Sequence, residues 1–385
     1  MTARRAGAEL RHVGLNAVFL EPPMGGLETY VRALLPELKN VAPELELTVF
    51  CNPIGREALA GSPLADVATI SGHPLLGRPG LRAASELTIL GPLAARRGVQ
   101  LLHSVALTGP LRTRLAHVVT IADVTWIVAP NAGEGSQRLW RAVVPPVARA
   151  ADRVLAISRA GAQHIEEHLR VPAARIDVVA LGQGTPPTAT ATDPAVLRER
   201  LGLRTGPIVL AVSAKKVHKN LLRLVQSFAR VLVVVPDATL VLPGRPTAYE
   251  EQLRAEAARL GIAQRVAFPP FVDAEDLEGL YAAAACFVIP SLNEGFGLPI
   301  LEAMRRGVPV ASGNASSLPE VAGDAAEYFD PLDPVAMADA LLAVLQDPAR
   351  AAELVRRGHE QQARFTWRAT AEGTLGSYRR TWAQL

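Results

Sequence analysis

The stretch CFVIPSLNEGFGLPILEAMRRGVPV, residues 286–310, decides how the chain folds. It opens on the wholly apolar run Cys286–Ile289, of the kind that forms a strand buried on both faces of a parallel sheet. It turns through Gly295 and Gly297 and enters a helix with Pro299 at or near the first position, where a missing N–H costs nothing. A further strand-like run, PVASGN, follows at once. The same alternation extends outward in both directions. Before it lie PIVLAVS, ATLVLPG and RVAFPPF, with helical patterns such as YEEQLRAEAARLG and DAEDLEGLYAAAA between them, and after it AEYFD. The first half has its own set: HVGLNAVFL, LELTVFC, VQLLHSV, HVVTIAD, RVLAIS and IDVVAL, separated by helix-like LETYVRALLPELKN and QRLWRAVVPPVARAA.

Strands alternating with helices twice over predict an α/β protein of two Rossmann-like, doubly wound parallel-sheet domains. At 385 residues the chain is long for one core and ample for two. The break falls at GQGTPPTATATDP, rich in Gly, Pro and Thr and without an apolar period. The expected organisation is residues 1–10 disordered, 11–182 a first domain, 183–206 a linker, 207–365 a second domain, and 366–385 a final helix. Ligands of such sheets bind at the carboxyl ends of the strands, so the two domains are expected to face each other across a cleft.

Composition narrows the function classes. The residues are 49% hydrophobic and 20% charged, with no apolar run of the about 18 residues that a membrane-spanning helix needs. The start, MTARRAGAEL, lacks the apolar core of a secretory signal, so a cytoplasmic location is expected. Cys51 and Cys286 lie at the ends of strand-like runs and read as small core residues, neither a disulfide nor a metal pair. A net charge of +3 comes from scattered arginines, without basic runs interleaved with aromatics, which argues against nucleic acid. Residues 77–98, where Arg78, Arg82, Arg96 and Arg97 flank an apolar run, read as an amphipathic helix on a sheet or as a peripheral contact with an anionic membrane.

Chemistry gathers at the strand ends. Around the turn of the opening stretch, Phe296, Gly297 and Leu298 offer the first N–H groups of a helix, a place for phosphate or oriented hydroxyls. Glu294 and Glu302 bracket it, and a carboxylate there accepts from vicinal sugar hydroxyls; dipole compensation is the plainer reading of Glu302 alone. After PIVLAVS comes SAKKVHKN, which holds three of the chain's four lysines: Lys215, Lys216 and Lys219. It reads as a cationic cradle for a diphosphate or as a solvated charge run, with Asn220 placed to cap the next helix. No Walker spacing is present. In the first half, Gly25 and Gly26 allow close approach to a ligand or simply make a turn, and the three-glycine dinucleotide fingerprint is absent. His103 and, further on, Asp123 and Trp126 follow strands; each is structural or holds an acceptor hydroxyl.

PSLNEGFGLPILEAMRRGVPVASGNASSLPEVAGDAA closely resembles the donor-site signature of the family 4 retaining glycosyltransferases of the GT-B fold, with Glu294 and Glu302 as its E-x7-E pair. GGLETYV, HVVTIADV, ADRVLAIS, PGRPTAYEEQL and the final segment with Trp367 extend the likeness along the chain, more loosely in its first half. The resemblance implies a first domain on the acceptor side and a second that binds the nucleotide-sugar. In that scheme Glu302 binds the ribose, the backbone of Phe296, Gly297 and Leu298 meets donor sugar or phosphate, Glu294 holds sugar hydroxyls, and Lys219 neutralises the diphosphate. Gly25 and Gly26 close over the phosphates or the acceptor, Phe271 lies beside the base, and residues 366–385 cross back to the first domain. Two departures stand out. Ala122 replaces a histidine common in relatives, and Ser213 and Ala214 stand where a Gly-Arg or Gly-Thr is usual, which leaves Lys215 or Lys216 to supply the charge.

The resulting expectation is a retaining hexosyltransferase that needs no metal or other cofactor, with a UDP- or GDP-sugar as donor. The acceptor is a hydroxyl of a glycolipid, oligosaccharide or natural product. The alternatives are a GT-B sugar phosphorylase or nucleotide-sugar epimerase, and a non-catalytic nucleotide-sugar-binding protein.

Overall fold

Runs of β-branched and aliphatic residues without polar alternation become strands covered on both faces, and here they build two parallel sheets. The computed structural model describes residues 9–21, 25–73, 76, 81–128, 137–184, 189–270 and 272–384. The first sheet contains β1 (His12–Ala17), β2 (Glu46–Cys51), β3 (Thr69–Gly72), β4 (Leu101–Ser104), β5 (Ala116–Ile121), β6 (Arg153–Ala156) and β7 (Ile176–Val178), in the order β3-β2-β1-β4-β5-β6-β7. The second contains β8 (Ile208–Leu210), β9 (Thr239–Val241), β10 (Val266–Ala267), β11 (Ala284–Ile289), β12 (Val310–Gly313) and β13 (Ala326–Phe329), in the order β10-β9-β8-β11-β12-β13. Every recorded strand pair is parallel. β1 and β5 are buried at every position, which is why they carry no polar alternation. Cys51 and Cys286 are free and buried.

The chain divides into two compact units, the second taking in Val128 and residues 183–365 with β8 to β13, and the first carrying β1 to β7 together with the terminal helix Trp367–Ala383. The core of the second unit joins Val209, Leu224, Phe228, Leu240, Val288 and Leu341. No strand is expected from the sequence at Thr69–Gly72, because its four residues carry a single large apolar side chain; pairing with β2 supplies what the pattern lacks. The stretch 183–206 differs from the expected linker. It belongs to the second unit and contains the helix Pro194–Leu201. Asp193 caps that helix, accepting from the N–H of Ala195 at 2.8 Å; Leu197 is buried and Gly202 ends it at φ 63°. Residues 1–8 and 185–188 lie outside the described residues.

Residues 81–98 form two short helices, Arg82–Thr88, which buries Ser85 and Glu86, and Leu90–Arg96, whose Leu90 and Ala94 join Val99 and Leu102 in the first unit's core. Arg78 lies outside the described residues. No helix among the described residues is long and apolar enough to cross a membrane.

The terminal helix is fastened to its sheet by polar groups. His103 on β4 is fully buried and uses both ring nitrogens, Nδ1 at 2.7 Å from the Tyr378 hydroxyl and Nε2 at 2.7 Å from Thr120 Oγ1. Tyr30 packs on Trp367 with ring centroids 6.3 Å apart, and Ser377 donates to Asp177 at 2.7 Å. Burial, helped by the neighbouring His117, pushes the His103 ring down to about 3, and burial pushes His117 down to about 4. An unfolded histidine titrates near 6.5, so below that pH the unfolded chain takes up protons that the folded chain refuses. This stability is complete above about pH 6.5 and is lost as pH falls below it, at about 1.4 kcal/mol per pH unit for each ring. The urea midpoint is therefore expected to be lower at pH 5.5 than at pH 7.5; equal midpoints would contradict neutral burial of these rings.

Candidate functional site

In each sheet the strand order reverses once, between β1 and β4 and between β8 and β11. Loops leaving the carboxyl ends of strands on either side of such a reversal diverge and open a crevice. At the second reversal those loops are residues 211–220 and 290–297, which carry Lys219 and Glu294.

The first loop leaves β8 and closes a 3-10 turn over Val217–Lys219. Asn220 then adopts φ 59°, a left-handed conformation that asparagine tolerates better than most residues. Asn220 does sit at the cap position of the helix Leu221–Val234, but its side chain makes no capping bond. Its amide instead donates to the carbonyls of Pro290 at 3.0 Å and Pro331 at 2.6 Å, fastening three strand-end segments together. Leu292 N–H donates to the His218 carbonyl at 2.9 Å and adds a backbone link between the two loops.

This bracing presents Lys219 to Glu294. The Lys219 Nζ lies 2.7 and 2.8 Å from the two oxygens of Glu294, and Ser291 Oγ donates to Oε1 at 2.7 Å. Ser316 and Ser317 hold the Glu294 carbonyl at 2.8 and 3.0 Å, and Ser317 also holds that of Phe296 at 2.8 Å. Gly297 at φ 112° makes the turn, and the helix Leu298–Arg305 follows with Pro299 in its first turn. The N–H groups at its start lack intrahelical acceptors and sit at the positive end of the dipole. The Phe296 side chain is buried against Phe365, centroids 5.7 Å apart, so only its backbone is offered to a ligand. Glu302, on the same helix, accepts from the Tyr281 hydroxyl at 3.2 Å.

Three expected site residues have other employment. Lys215 is 2% exposed; its Nζ pairs with Glu250 at 3.0 Å and donates to the Gly244 carbonyl at 2.6 Å, so its charge is spent inside the second unit. Burial alone would raise the Glu250 carboxyl, but hydrogen bonds and charge from Lys215 and Arg254 outweigh it and hold it below the usual range. His103 belongs to the buried junction with Tyr378 and offers no ring nitrogen to an acceptor. Trp126 is buried in the turn Thr125–Val128, with its indole inside the first unit. Asp123 is half-buried and accepts from the N–H of Thr125 at 2.8 Å, closing that turn. Gly25, at φ 77°, begins the helix Gly26–Val41, with open space where a Cβ would stand. Lys216 is half-buried, and Ser213 keeps a buried hydroxyl without a recorded partner. Phe271 lies outside the described residues.

Residues 24–182 match the model of glycosyltransferase family 4, and residues 195–361 match that of glycosyl transferases group 1. The chain belongs to the family 4 glycosyltransferases. The GDP-mannose-dependent alpha-(1-6)-phosphatidylinositol monomannoside mannosyltransferase of Mycolicibacterium smegmatis is 28% identical over 371 residues, 90% of this chain and 93% of that protein. O-antigen chain mannosyltransferase B of Escherichia coli is 48% identical over 109 residues, 28% of this chain and 29% of that protein. D-inositol 3-phosphate glycosyltransferase of Xylanimonas cellulosilytica is 35% identical over 245 residues, 60% of this chain and 58% of that protein. The chain thus spans between 29% and 58% of the length of these last two relatives. Among solved structures, sucrose-phosphate synthase from Thermosynechococcus elongatus superposes with a TM-score of 0.77 at 22% identity, covering 97% of this glycosyltransferase and 100% of that chain. The Anabaena protein HepE in complex with UDP-glucose gives 0.71 at 18% identity, covering 95% and 99%. Both likenesses identify the GT-B fold.

Proposed function

We propose that this glycosyltransferase moves a hexose from a nucleoside-diphosphate sugar to an acceptor hydroxyl with retention of anomeric configuration. The observation that carries the proposal is the bidentate contact of Lys219 with Glu294 at the strand-order reversal, with the helix bearing Glu302 directly behind it. A cation beside a helix N-terminus, the carboxylate of Glu294 and that of Glu302 match the three parts of the donor: diphosphate, sugar hydroxyls and ribose. Binding exchanges partners. The diphosphate takes the Lys219 ammonium, and the sugar hydroxyls take the Glu294 carboxylate.

Transfer breaks the bond from the anomeric carbon to the leaving phosphate oxygen and forms one to the acceptor oxygen on the same face. The acceptor proton passes to the departing diphosphate. No protein nucleophile is needed, so rate comes from positioning and from stabilising charge on the leaving group, a task Lys219 and the N–H groups of Gly297 and Leu298 perform without a metal. Glycolipids, oligosaccharides and natural products are the proposed acceptors. The GDP-mannose-dependent mannosyltransferase of Mycolicibacterium smegmatis makes GDP-mannose the first donor to try, followed by UDP-sugars. Within the segment 77–98, a peripheral membrane contact would rest on exposed Arg96 and Arg97, because Leu90 and Ala94 of the helix Leu90–Arg96 are occupied in the core.

The test is to supply GDP- and UDP-sugars with an acceptor panel and measure nucleoside diphosphate release and the anomeric configuration of the product, with and without chelator. Release that requires an acceptor supports transfer. Phosphate-dependent turnover would indicate a phosphorylase, and binding without turnover a non-catalytic protein. Glu302→Ala is expected to weaken nucleoside diphosphate binding with little change in turnover at saturation; unchanged affinity would remove the ribose role.

A further inference from the structure

We infer that Tyr281 and Gly184 are the positioning residues that fit Glu302 to the ribose hydroxyls, an inference that rests on the ribose role proposed above. Tyr281 is buried in the second unit, with its ring packed on Phe287 at 6.0 Å between centroids. Its hydroxyl donates to Glu302 Oε2 at 3.2 Å. Burial first, and then the Glu302 charge, hold that phenol well above its ordinary value, so it stays a donor at every working pH. The ring also carries Arg306, whose guanidinium sits over it at 4.7 Å from the centroid. Arg306 is itself held by Glu278, Nε to Oε2 at 2.7 Å, and donates to the Glu302 carbonyl at 3.1 Å. Glu278, Arg306, Tyr281 and Glu302 therefore form a continuous chain that ends on one oxygen of the candidate ribose carboxylate.

Gly184 acts on the same side chain through space. A Cβ at that position would stand 2.2 Å from Glu302 Cγ and 2.6 Å from Oε1, the oxygen that Tyr281 does not take. The backbone there has little freedom to retreat. Gln183 N–H donates to the Phe365 carbonyl at 2.9 Å, and its side-chain oxygen accepts from Arg305 at 2.8 Å. Tyr281 thus fixes one carboxylate oxygen while the missing side chain at 184 keeps room for the other. A carboxylate with one oxygen oriented in this way presents a fixed geometry to vicinal hydroxyls; without the phenol it loses a hydrogen bond to a charged group.

The experiment measures binding of UDP or GDP, whichever the wild-type protein binds, and of its 2′,3′-dideoxy analogue, to Tyr281→Phe, Gly184→Ala, Glu302→Ala and the Gly184→Ala/Glu302→Ala double variant. Tyr281→Phe keeps the ring and is expected to weaken the diphosphate about three- to tenfold, to raise KM with kcat within twofold, and to leave the dideoxy analogue unaffected. Gly184→Ala is expected to weaken the diphosphate tenfold or more, yet to add nothing in the Glu302→Ala background. Two results would overturn the inference while leaving the ribose role standing: wild-type affinity in both single variants when Glu302→Ala is weakened, or equal losses for the hydroxylated and dideoxy nucleotides. Unchanged affinity in Glu302→Ala would overturn both together.

Discussion

Glu294→Gln is expected to lower turnover by about a hundredfold or more and, in the same protein, to tighten the nucleoside diphosphate. The loss in turnover follows from the role proposed for Glu294 at the donor sugar, a contact of the size expected for one transition-state interaction. The gain in product affinity follows from the ion pair. Both Glu294 oxygens lie within 2.8 Å of Lys219 Nζ, so a diphosphate that takes the ammonium competes with a carboxylate for it. A neutral amide competes less well. The gain should be about two- to fivefold, the fold-change for an ion pair worth about 0.5–1 kcal/mol. Lys219→Ala loses turnover by the same order but weakens the diphosphate. Kinetics and calorimetry on the two variants check the signs together. Product affinity moving in the same direction in both would mean that Lys219 and Glu294 do not exchange partners on binding.

Lys215→Ala is expected to do the opposite: to destabilise the second unit by about 3 kcal/mol and leave nucleoside diphosphate affinity within twofold of wild type. Removing the lysine deprives the buried Glu250 of its closest interior partner, leaving it to Arg254 at 2.7 Å, and strands the Gly244 carbonyl. Leaving a buried charge with half its compensation is what makes the change severe. For a unit of this size the shift in Tm is about 6–12 °C. Differential scanning calorimetry measures it, and a variant that melts like wild type but binds the diphosphate poorly would return Lys215 to the phosphate site.

These contrasting lysines show how far the sequence reaches. Lys215 and Lys219 stand in one short loop, and nothing local separates them. Their fates are decided by Glu250 and Glu294, acidic residues far along the chain that the fold brings to opposite sides of that loop. The strands were legible because burial on both faces leaves an unbroken apolar run, and β3 was not, because its Thr-Ile-Ser-Gly has no such run. The Gly297 turn, with Glu294 before it and Glu302 on the helix after it, was legible as a strand-to-helix turn because glycine and proline directly after an apolar run mark one. Ser291, Ser316, Ser317 and Tyr281 were not assigned a role. Their contribution is to hold backbone and carboxylate in place, and a serine or a buried tyrosine in an apolar stretch carries no mark of that task. His103 was misleading for the same reason: its partner Tyr378 lies near the other end of the sequence.

The join between His103 and Tyr378 also sets an order of events during synthesis. The first unit is begun by the ribosome well before the second, yet the helix Trp367–Ala383 that covers Tyr30 and engages His103 is translated last of all its elements. Until that helix emerges, a buried histidine, a tyrosine and part of an apolar helix face lie open. The second unit, whose strands β8 to β13 are all made in between, has its whole sheet in hand and can close first. The half of the molecule that starts earliest is thus the half that finishes latest, and the nascent chain passes through a stage with one completed unit and one still awaiting its cover.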